Sequence, residues 1–571
     1  MARQRPSGLA LESRWIGGLP LVNAILERLK VRRFLAQALP PPDRRARLSS
    51  GQALLVLLRS LVLNERHPLY TLSEWARDAE PSLLGLGDGQ DASSLNDDRV
   101  GRALDALFQA DRAALLTHLA VHAVREFQID LEQLHNDSTT VTLQGRYAGA
   151  DGRRIRGHAT VRITHGHNKD HRPDLKQLLF VLTVSADGAV PVHYRALDGN
   201  TNDSTTHVET WNTLKALAGK ASFLYVADSK LCSKETLAHI DAQGGRFITV
   251  LPRNRREDGW FREFVQTHEP PWEVALRRPH PRRRTGPEDV WKVVEAALPS
   301  KEGYRVVWVW NSLMALADEE ARQSRIEKAW VGFQHLNTKL QGPRARLRHR
   351  PAVEKAAEKI LLGAGAQRWL DLVVEEKPEP VYRQEKRGRP GEKTRYVRRH
   401  RLRFSVSLHR KQDVLDADAT CDGMFPLLTN DKDLTLAQVL EAYKFQPSLE
   451  RRFHELKSVQ DVAPVWLKSV ARVEPLLFLY FVALLVQSLL EREVRHAMAR
   501  EGIDVLPLYP EERECKAPST ERILDLFAPL RRHRLCERGA LRETFDPDLS
   551  ELQNEVLRLL GINGSAFRSV V

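Results

Sequence analysis

The fold is decided between residues 130 and 252, a region that begins with the stretch DLEQLHNDSTTVTL (130–143). The β-branched residues of this stretch predict a strand. Two further strands, QLLFVLTV (177–184) and AVPVHYRAL (189–197), are joined through an Asp-Gly pair, which is typical of hairpin turns. The region continues with a helix (206–219), a strand (222–228), a helix (233–245) and a strand (246–252). This β-β-β-α-β-α-β order predicts an α/β fold with a mixed sheet flanked by helices.

Three acidic residues are candidates for catalysis: Asp137 in the first strand, Asp228 at the end of the fourth, and Glu450 on a helix far downstream. Ligands gather at the carboxyl ends of strands in open α/β sheets. A buried carboxylate is costly unless it is paired or binds a metal. Carboxylates suit Mg²⁺, and two ions about 3.5–4 Å apart can activate water and stabilise a leaving oxygen. Asp228 has an equally weighted alternative role, capping the helix that follows.

Glu450 belongs to a regular pattern with Tyr443, Gln446 and Lys457, spaced by three, four and seven residues. Residues three or four apart share one face of a continuous helix. Pro447 interrupts that helix, so we expect a new helix to begin near it. The glutamate could then hold a metal while the lysine neutralises a phosphate.

The loop GHNKDHRPDLKQ (166–177) is a second candidate for the site. Lys169 and Arg172 could contact phosphate, and Asp170 and Asp174 are alternative metal ligands. A polar loop that simply leads into a strand is an equally weighted interpretation.

The charge balance favours a polyanionic partner. Lys and Arg exceed Asp and Glu by 13, and the isoelectric point is near 9.6. The arginine-rich runs 277–285 and 386–403 are interpreted as contacts to the DNA backbone rather than as solvated faces. Arg452 and Lys230 are two more candidate DNA contacts. So large a basic region does not suit an enzyme of a small-molecule substrate, and the scattered cysteines exclude a zinc ribbon.

The length of 571 residues predicts several domains. Residues 1–125 read as an all-helical domain, expected to bind DNA; 126–254 form the first part of the core and 421–499 the second, with a basic, β-rich insertion at 255–420. Residues 500–571 read as a helical tail, a candidate for dimerisation. The apolar run 476–490 is shorter than the ~20 residues of a membrane span, so a buried core helix is expected. No secretory signal is evident at the N-terminus, so a cytoplasmic location is expected.

The chain resembles bacterial insertion-sequence transposases of the DDE class, in the group with the signature Y-x2-R-x3-E-x6-K. Tyr443, Gln446, Glu450 and Lys457 match that spacing, with glutamine in place of arginine. Further similar stretches occur in order: HNDSTT (135–140), GHNKDHRPDLKQ (166–177), LDGNTNDSTT (197–206), VADSKL (226–231), DGMFPLLTN (422–430) and LYPEERECKAPSTERIL (508–524). The resemblance extends from about residue 10 to the C-terminus and is weakest at 255–400.

The resemblance implies an RNase H-like core whose Asp137, Asp228 and Glu450 bind two Mg²⁺ ions, for which Mn²⁺ is expected to substitute. Such an enzyme hydrolyses the phosphodiester at the terminal inverted repeats of its element and joins the exposed 3′-OH to target DNA. Its partner is double-stranded DNA, and pairing two ends implies a homodimer in the synaptic complex. Two alternatives stay open: a stand-alone Mg²⁺ endonuclease, and a DNA-binding regulator with an inactive site.

Overall fold

The computed structural model describes residues 8–41, 46–63, 69–87, 90–280, 285–342, 345–459, 467, 469–538 and 540–569. The strands are β1 (Leu9–Trp15), β2 (Gln133–Leu143), β3 (Lys176–Ser185), β4 (Pro191–Leu197), β5 (Leu224–Ala227), β6 (Arg246–Val250), β7 (Glu273–Arg278), β8 (Asp289–Glu295), β9 (Arg305–Asn311), β10 (Leu370–Gln384), β11 (Tyr396–Arg410), β12 (Met424–Thr429), β13 (Leu506–Tyr509), β14 (Arg513–Cys515), β15 (Arg531–Glu537) and β16 (Ala540–Phe545).

The helices are α1 (Leu19–Arg28), α2 (Val31–Ala38), α3 (Ser50–Val62), α4 (Leu72–Asp78), α5 (Pro81–Leu84), α6 (Asp97–Gln109), α7 (Arg112–Glu126), α8 (His207–Ala218), α9 (Lys234–Ala242), α10 (Arg256–Thr267), α11 (Ser312–Gln341), α12 (Arg350–Ala364), α13 (Gln412–Ala419), α14 (Leu436–Lys444), α15 (Gln446–His454), α16 (Val470–Glu501), α17 (Thr520–Phe527) and α18 (Glu551–Leu560). The chain forms two compact units, Met1–Thr249 with Glu441–Val571 and Val250–Leu440.

The sheet of the first unit has the strand order β4-β3-β2-β5-β6. The pairs β2–β3 and β3–β4 are antiparallel, whereas β2–β5 and β5–β6 are parallel. The β-β-β-α-β-α-β order predicted from the sequence is confirmed, and the fold is mixed α/β. The predicted β3–β4 hairpin is also confirmed, and Gly188 takes the positive φ of 79° that its turn requires.

Helix α16 forms the centre of the first unit. It packs against α3, α6 and strand β4. Its apolar segment is long enough to cross a membrane by length and composition, but the whole of that segment is buried inside the protein. The predicted buried core helix is therefore confirmed.

The prediction of an all-helical N-terminal domain and a helical tail is wrong, because both regions also contain strands. β1 is a strand and pairs antiparallel with β15, with Leu9 opposite Glu537 and Trp15 opposite Arg531. The tail contributes β13 to β16 as well as two helices. Both strands of the β1–β15 pair are short, and each depends on a partner more than 500 residues away in sequence, so local periodicity did not reveal them.

The second unit contains the strand order β12-β9-β8-β7 and the separate two-stranded ribbon β10–β11. Its core joins α11 and α12 to the base of the ribbon through residues such as Phe333, Val353 and Phe404. The segment 255–420 is a mixture of helix and strand, since α10 to α13 lie within it, and the β-rich expectation is corrected accordingly. Part of the arginine-rich run 277–285, residues 281–284, lies outside the described residues.

Candidate active site

The sheet register brings Asp137 and Asp228 side by side. In the parallel pair β2–β5, Asn136 lies opposite Ala227, and each aspartate is the next residue along its chain. The Asp228 side chain also accepts a hydrogen bond from the Lys230 backbone N–H at 3.0 Å, and so caps a short 3-10 turn. The two roles considered for Asp228 are therefore compatible.

The surroundings of the two aspartates disfavour their charged forms, because the protein only partly compensates a negative charge there. Burial raises the pKa of Asp137 to about 7, and the negative charge of Asp228 adds to this effect. The Lys169 ammonium opposes it. Burial also raises the pKa of Asp228. A carboxyl group in this state gains stability when a cation approaches it.

The pKa of Tyr443 links the third acid, Glu450, to the two aspartates. Burial raises the pKa of Tyr443 to about 12, and the negative charges of Asp228, Glu450 and Asp137 add to that shift. Charge interactions weaken with distance, so these contributions indicate that the three acids act on the same phenol. The end of α14, the middle of α15, the middle of β2 and the residue that follows β5 therefore face this phenol.

Lys169 faces the carboxylates. Its Nζ donates to the Ser138 carbonyl oxygen at 2.6 Å and to the Ser138 hydroxyl at 2.9 Å. It also lies 3.1 Å from Asp203 Oδ2 and 3.9 Å from Asp137 Oδ1. The sequence analysis did not identify Asp203 as a site residue. Its one indication was that Asp203 lies in the stretch 197–206, which is similar to the transposases. Its negative charge contributes to the raised pKa of Asp137, so it is a fourth acid of the site.

Arg452 is buried and holds α15 in place. Its side chain is 1% exposed and forms ion pairs with Glu455 at 2.7 Å and Glu491 at 2.9 Å. The guanidinium also donates to the carbonyl oxygens of Ala189 at 3.0 Å and Gly188 at 3.1 Å. These internal partners leave it unavailable to DNA in this conformation. It is a positioning residue for α15, the helix that carries the exposed Glu450.

Gln446 also faces the interior. Its Oε1 lies 3.1 Å from His135 Nδ1, and the residue is 7% exposed. Burial lowers the pKa of His135 to about 4, so this imidazole is neutral at pH 7. α15 begins at Gln446 with Pro447 in its first turn, which confirms the predicted break. The position at which the signature has arginine therefore packs against β2 rather than facing solvent.

The remaining predicted DNA contacts have acidic neighbours or are exposed. Lys457 Nζ lies 2.7 Å from Asp170 Oδ1. Arg172 forms an ion pair with Asp174 at 2.8 Å. Lys230 is exposed beside the site. The loop 166–177 thus reaches the site through two lysine contacts, Lys169 with the aspartates and Lys457 with Asp170.

The donor set suits a hard cation at the two aspartates. Within the described residues, no group of three His, Cys, Asp or Glu side chains is arranged closely enough to hold a metal ion. Asp137 and Asp228 nevertheless provide adjacent carboxylate oxygens, the donors that Mg²⁺ prefers, and a bound cation would favour their charged forms, which burial disfavours. Glu450 is near them but completes no compact three-ligand group in this conformation.

Three comparisons relate the chain to known proteins. Residues 11–121 match a family model described as a domain of unknown function, DUF4277. No curated protein matches the sequence. A solved structure of a piggyBac transposase synaptic complex with hairpin DNA aligns with a TM-score of 0.34 and 10% identity, covering 90% of this chain and 78% of that one. A TM-score of this size does not establish a common fold.

Proposed function

We propose that the chain is a Mg²⁺-dependent DNA transposase with an RNase H-like core. The observation that supports this best is the convergence of Asp137, Asp228 and Glu450 around the Tyr443 phenol. The same three acids are those that the transposase resemblance selects. The sheet order, with three antiparallel strands followed by two parallel ones, is the arrangement expected of such a core.

Asp137 and Asp228 would hold the metal, and Glu450 would complete the set after a rotation of its side chain. Bound Mg²⁺ would supply charge stabilisation at the scissile phosphate and lower the pKa of a water molecule. Tyr443 has a raised pKa and stays a neutral phenol, so it can donate a hydrogen bond to a phosphate oxygen. Lys169 lies beside the acids and would contact a phosphate there while it keeps its contacts with Ser138 and Asp203.

The proposed substrate is double-stranded DNA, at the inverted repeats of the element and at the target. The exposed 3′-OH at the element end would be joined to the target. Pairing of two ends would require a homodimer in the synaptic complex. Lys230 and Lys457 are further proposed phosphate contacts, whereas the Arg172 guanidinium is held by Asp174.

The test is cleavage of the element's own end DNA by the purified protein with Mg²⁺. Wild type is compared with Asp228→Ala and Glu450→Gln, and Mn²⁺ replaces Mg²⁺ in a parallel series. We expect wild type to nick at the end, and both variants to bind the same DNA without cutting. Variants that cut as well as wild type would refute the site.

Two further assays separate the alternatives. Products joined to a target plasmid distinguish a transposase from a stand-alone endonuclease, which would leave cut ends only. A wild-type protein that binds the ends but never cuts, and that binds equally well as Asp137→Ala, would be a DNA-binding regulator.

A further inference from the structure

The ammonium group of Lys169 is surrounded by oxygen atoms beside the two aspartates. Its Nζ lies 2.6 Å from the Ser138 carbonyl oxygen, 2.9 Å from the Ser138 hydroxyl and 3.1 Å from Asp203 Oδ2. Three oxygens are therefore within hydrogen-bonding distance of its three N–H groups. Asp137 Oδ1 is a fourth oxygen nearby, at 3.9 Å. Carboxylate, hydroxyl and carbonyl oxygens are also the ligands that a hard divalent cation takes.

The surroundings of this ammonium are fixed by strand β2. The Lys169 backbone N–H donates to Thr140 Oγ1 at 3.2 Å, which ties the loop that carries the lysine to β2. The Ser138 hydroxyl donates to Asp203 Oδ2 at 2.9 Å and accepts from the Lys169 ammonium, so it orients both charged groups. The Lys169 side chain is therefore part of the framework of the site rather than a mobile surface group.

The charge of this ammonium acts on both aspartates that are proposed to hold the metal. It lowers the pKa of Asp137 and of Asp228, in opposition to burial, which raises both. A second metal ion would act on the same carboxylates in the same direction. Within the described residues, no three acidic, His or Cys side chains are grouped closely enough to hold an ion. A second ion would therefore need the oxygens of Ser138 and Asp203, which Lys169 already occupies.

We propose that the Lys169 ammonium takes the place of one of two metal ions, so that the site binds a single divalent cation at Asp137 and Asp228. This differs from the two ions that the transposase resemblance implies. The ammonium would supply, at the phosphate, the positive charge that a second ion gives in a two-metal site. Asp203 is then a positioning residue, because it acts through Lys169. The phosphate substrate rests on the proposed function, but bound ions can be counted without any reaction.

The test counts the Mn²⁺ ions that the full-length protein binds tightly, by equilibrium dialysis. Electron paramagnetic resonance shows whether two ions are close neighbours, because each then broadens the signal of the other. Lys169→Ala removes the ammonium and leaves room for an ion. Lys230→Ala is the matched control, since Lys230 is an exposed lysine whose charge also acts on Asp228. Thermal unfolding reports whether each variant is folded.

We expect wild type and Lys230→Ala to bind one Mn²⁺ ion per chain, and Asp228→Ala to lose that ion. Lys169→Ala should bind two ions that broaden each other's signal. Addition of Asp203→Asn to Lys169→Ala should return the count to one, because it removes the carboxylate that would hold the second ion. The wild-type count should stay at one when end DNA is bound, after subtraction of the ions that the same DNA binds alone.

Two neighbouring Mn²⁺ ions in wild type, with or without DNA, would overturn the proposal, and this result needs no variant to fold. A single ion in folded Lys169→Ala would also overturn it, because the ammonium would then exclude no ion. Counts of one in wild type and two in Lys169→Ala, in a protein that never cuts DNA, would refute the proposed function and leave this proposal intact. A wild type that cuts DNA with two neighbouring ions bound would do the reverse.

Discussion

Replacement of Asp137 by Asn should stabilise the metal-free protein above pH 7 while abolishing DNA cleavage. The pKa of Asp137 is raised to about 7 from 3.8, chiefly by burial. A difference of ~3 pKa units corresponds to at most ~4 kcal/mol. Loss of the carboxylate also removes a favourable charge 3.9 Å from Lys169 Nζ, although Asp203 still lies 3.1 Å from that ammonium. We therefore expect a net gain of about 1–3 kcal/mol.

The gain should depend on pH in a definite direction. A carboxyl group whose pKa is higher in the folded than in the unfolded protein favours folding when it is protonated. That contribution is fully present below about pH 4 and is lost as the pH rises through about 7. The advantage of the Asn variant over wild type in unfolding temperature should therefore be clearly smaller at about pH 5 than at about pH 8, and it should vanish only near pH 4 and below.

The assay is thermal unfolding at both pH values, with and without Mg²⁺. Asp504→Asn, at an exposed position, is the control for a general effect of charge. Mg²⁺ should raise the unfolding temperature of wild type at about pH 8 and close the gap to the variant, because a ligand that binds only the folded protein stabilises it. An Asn variant that is no more stable at pH 8 than at pH 5, relative to wild type, would refute the reasoning.

Three other predictions follow from the same contacts. Arg452→Met should destabilise the protein by about 1–3 kcal/mol, because the carbonyl oxygens of Gly188 and Ala189 lose their donor although Glu491 keeps its contact with Arg451; thermal unfolding measures this, and an unchanged melting temperature contradicts it. Gln446→Arg restores the signature residue but buries a charge beside His135, so lower stability without tighter DNA binding is expected from unfolding and binding assays. Lys169→Met removes the cation that lowers the pKa of Asp137, so the pH profile of Mg²⁺-dependent cleavage should shift to higher pH; a shift to lower pH contradicts this.

The core of the fold could be predicted because its signals are local. The apolar strands β2 to β6 and the helices between them each have a recognisable period, and the Asp-Gly turn fixes one hairpin. The adjacency of Asp137 and Asp228 follows once β2 and β5 are neighbours, since the register then places them together. The pairing of β1 with β15 has no such local signal, and the sequence alone could not reveal it.

The inner contacts of the site depend on tertiary structure that no sequence pattern encodes. An arginine beside an exposed glutamate on a short helix is expected at the surface, yet Arg452 is buried because Glu491, on α16, provides its partner. Asp203 lies between a strand and a helix in a polar stretch that reads as a loop. Its role becomes visible only when the Lys169 ammonium is found 3.1 Å away.

These contacts explain how the acids can be assembled before a metal arrives. Two adjacent carboxylates repel each other and resist burial, and both effects raise the pKa of Asp137. Lys169 offsets part of that repulsion, being fixed by Ser138 and Asp203 rather than by Asp137 itself, from which it lies 3.9 Å away. An ammonium held this way can stabilise the empty site and still yield to a divalent cation, since its shorter contacts survive the exchange. The contacts of Arg452 fix the position of α15, so that only the side chain of Glu450 needs to adjust when a metal binds.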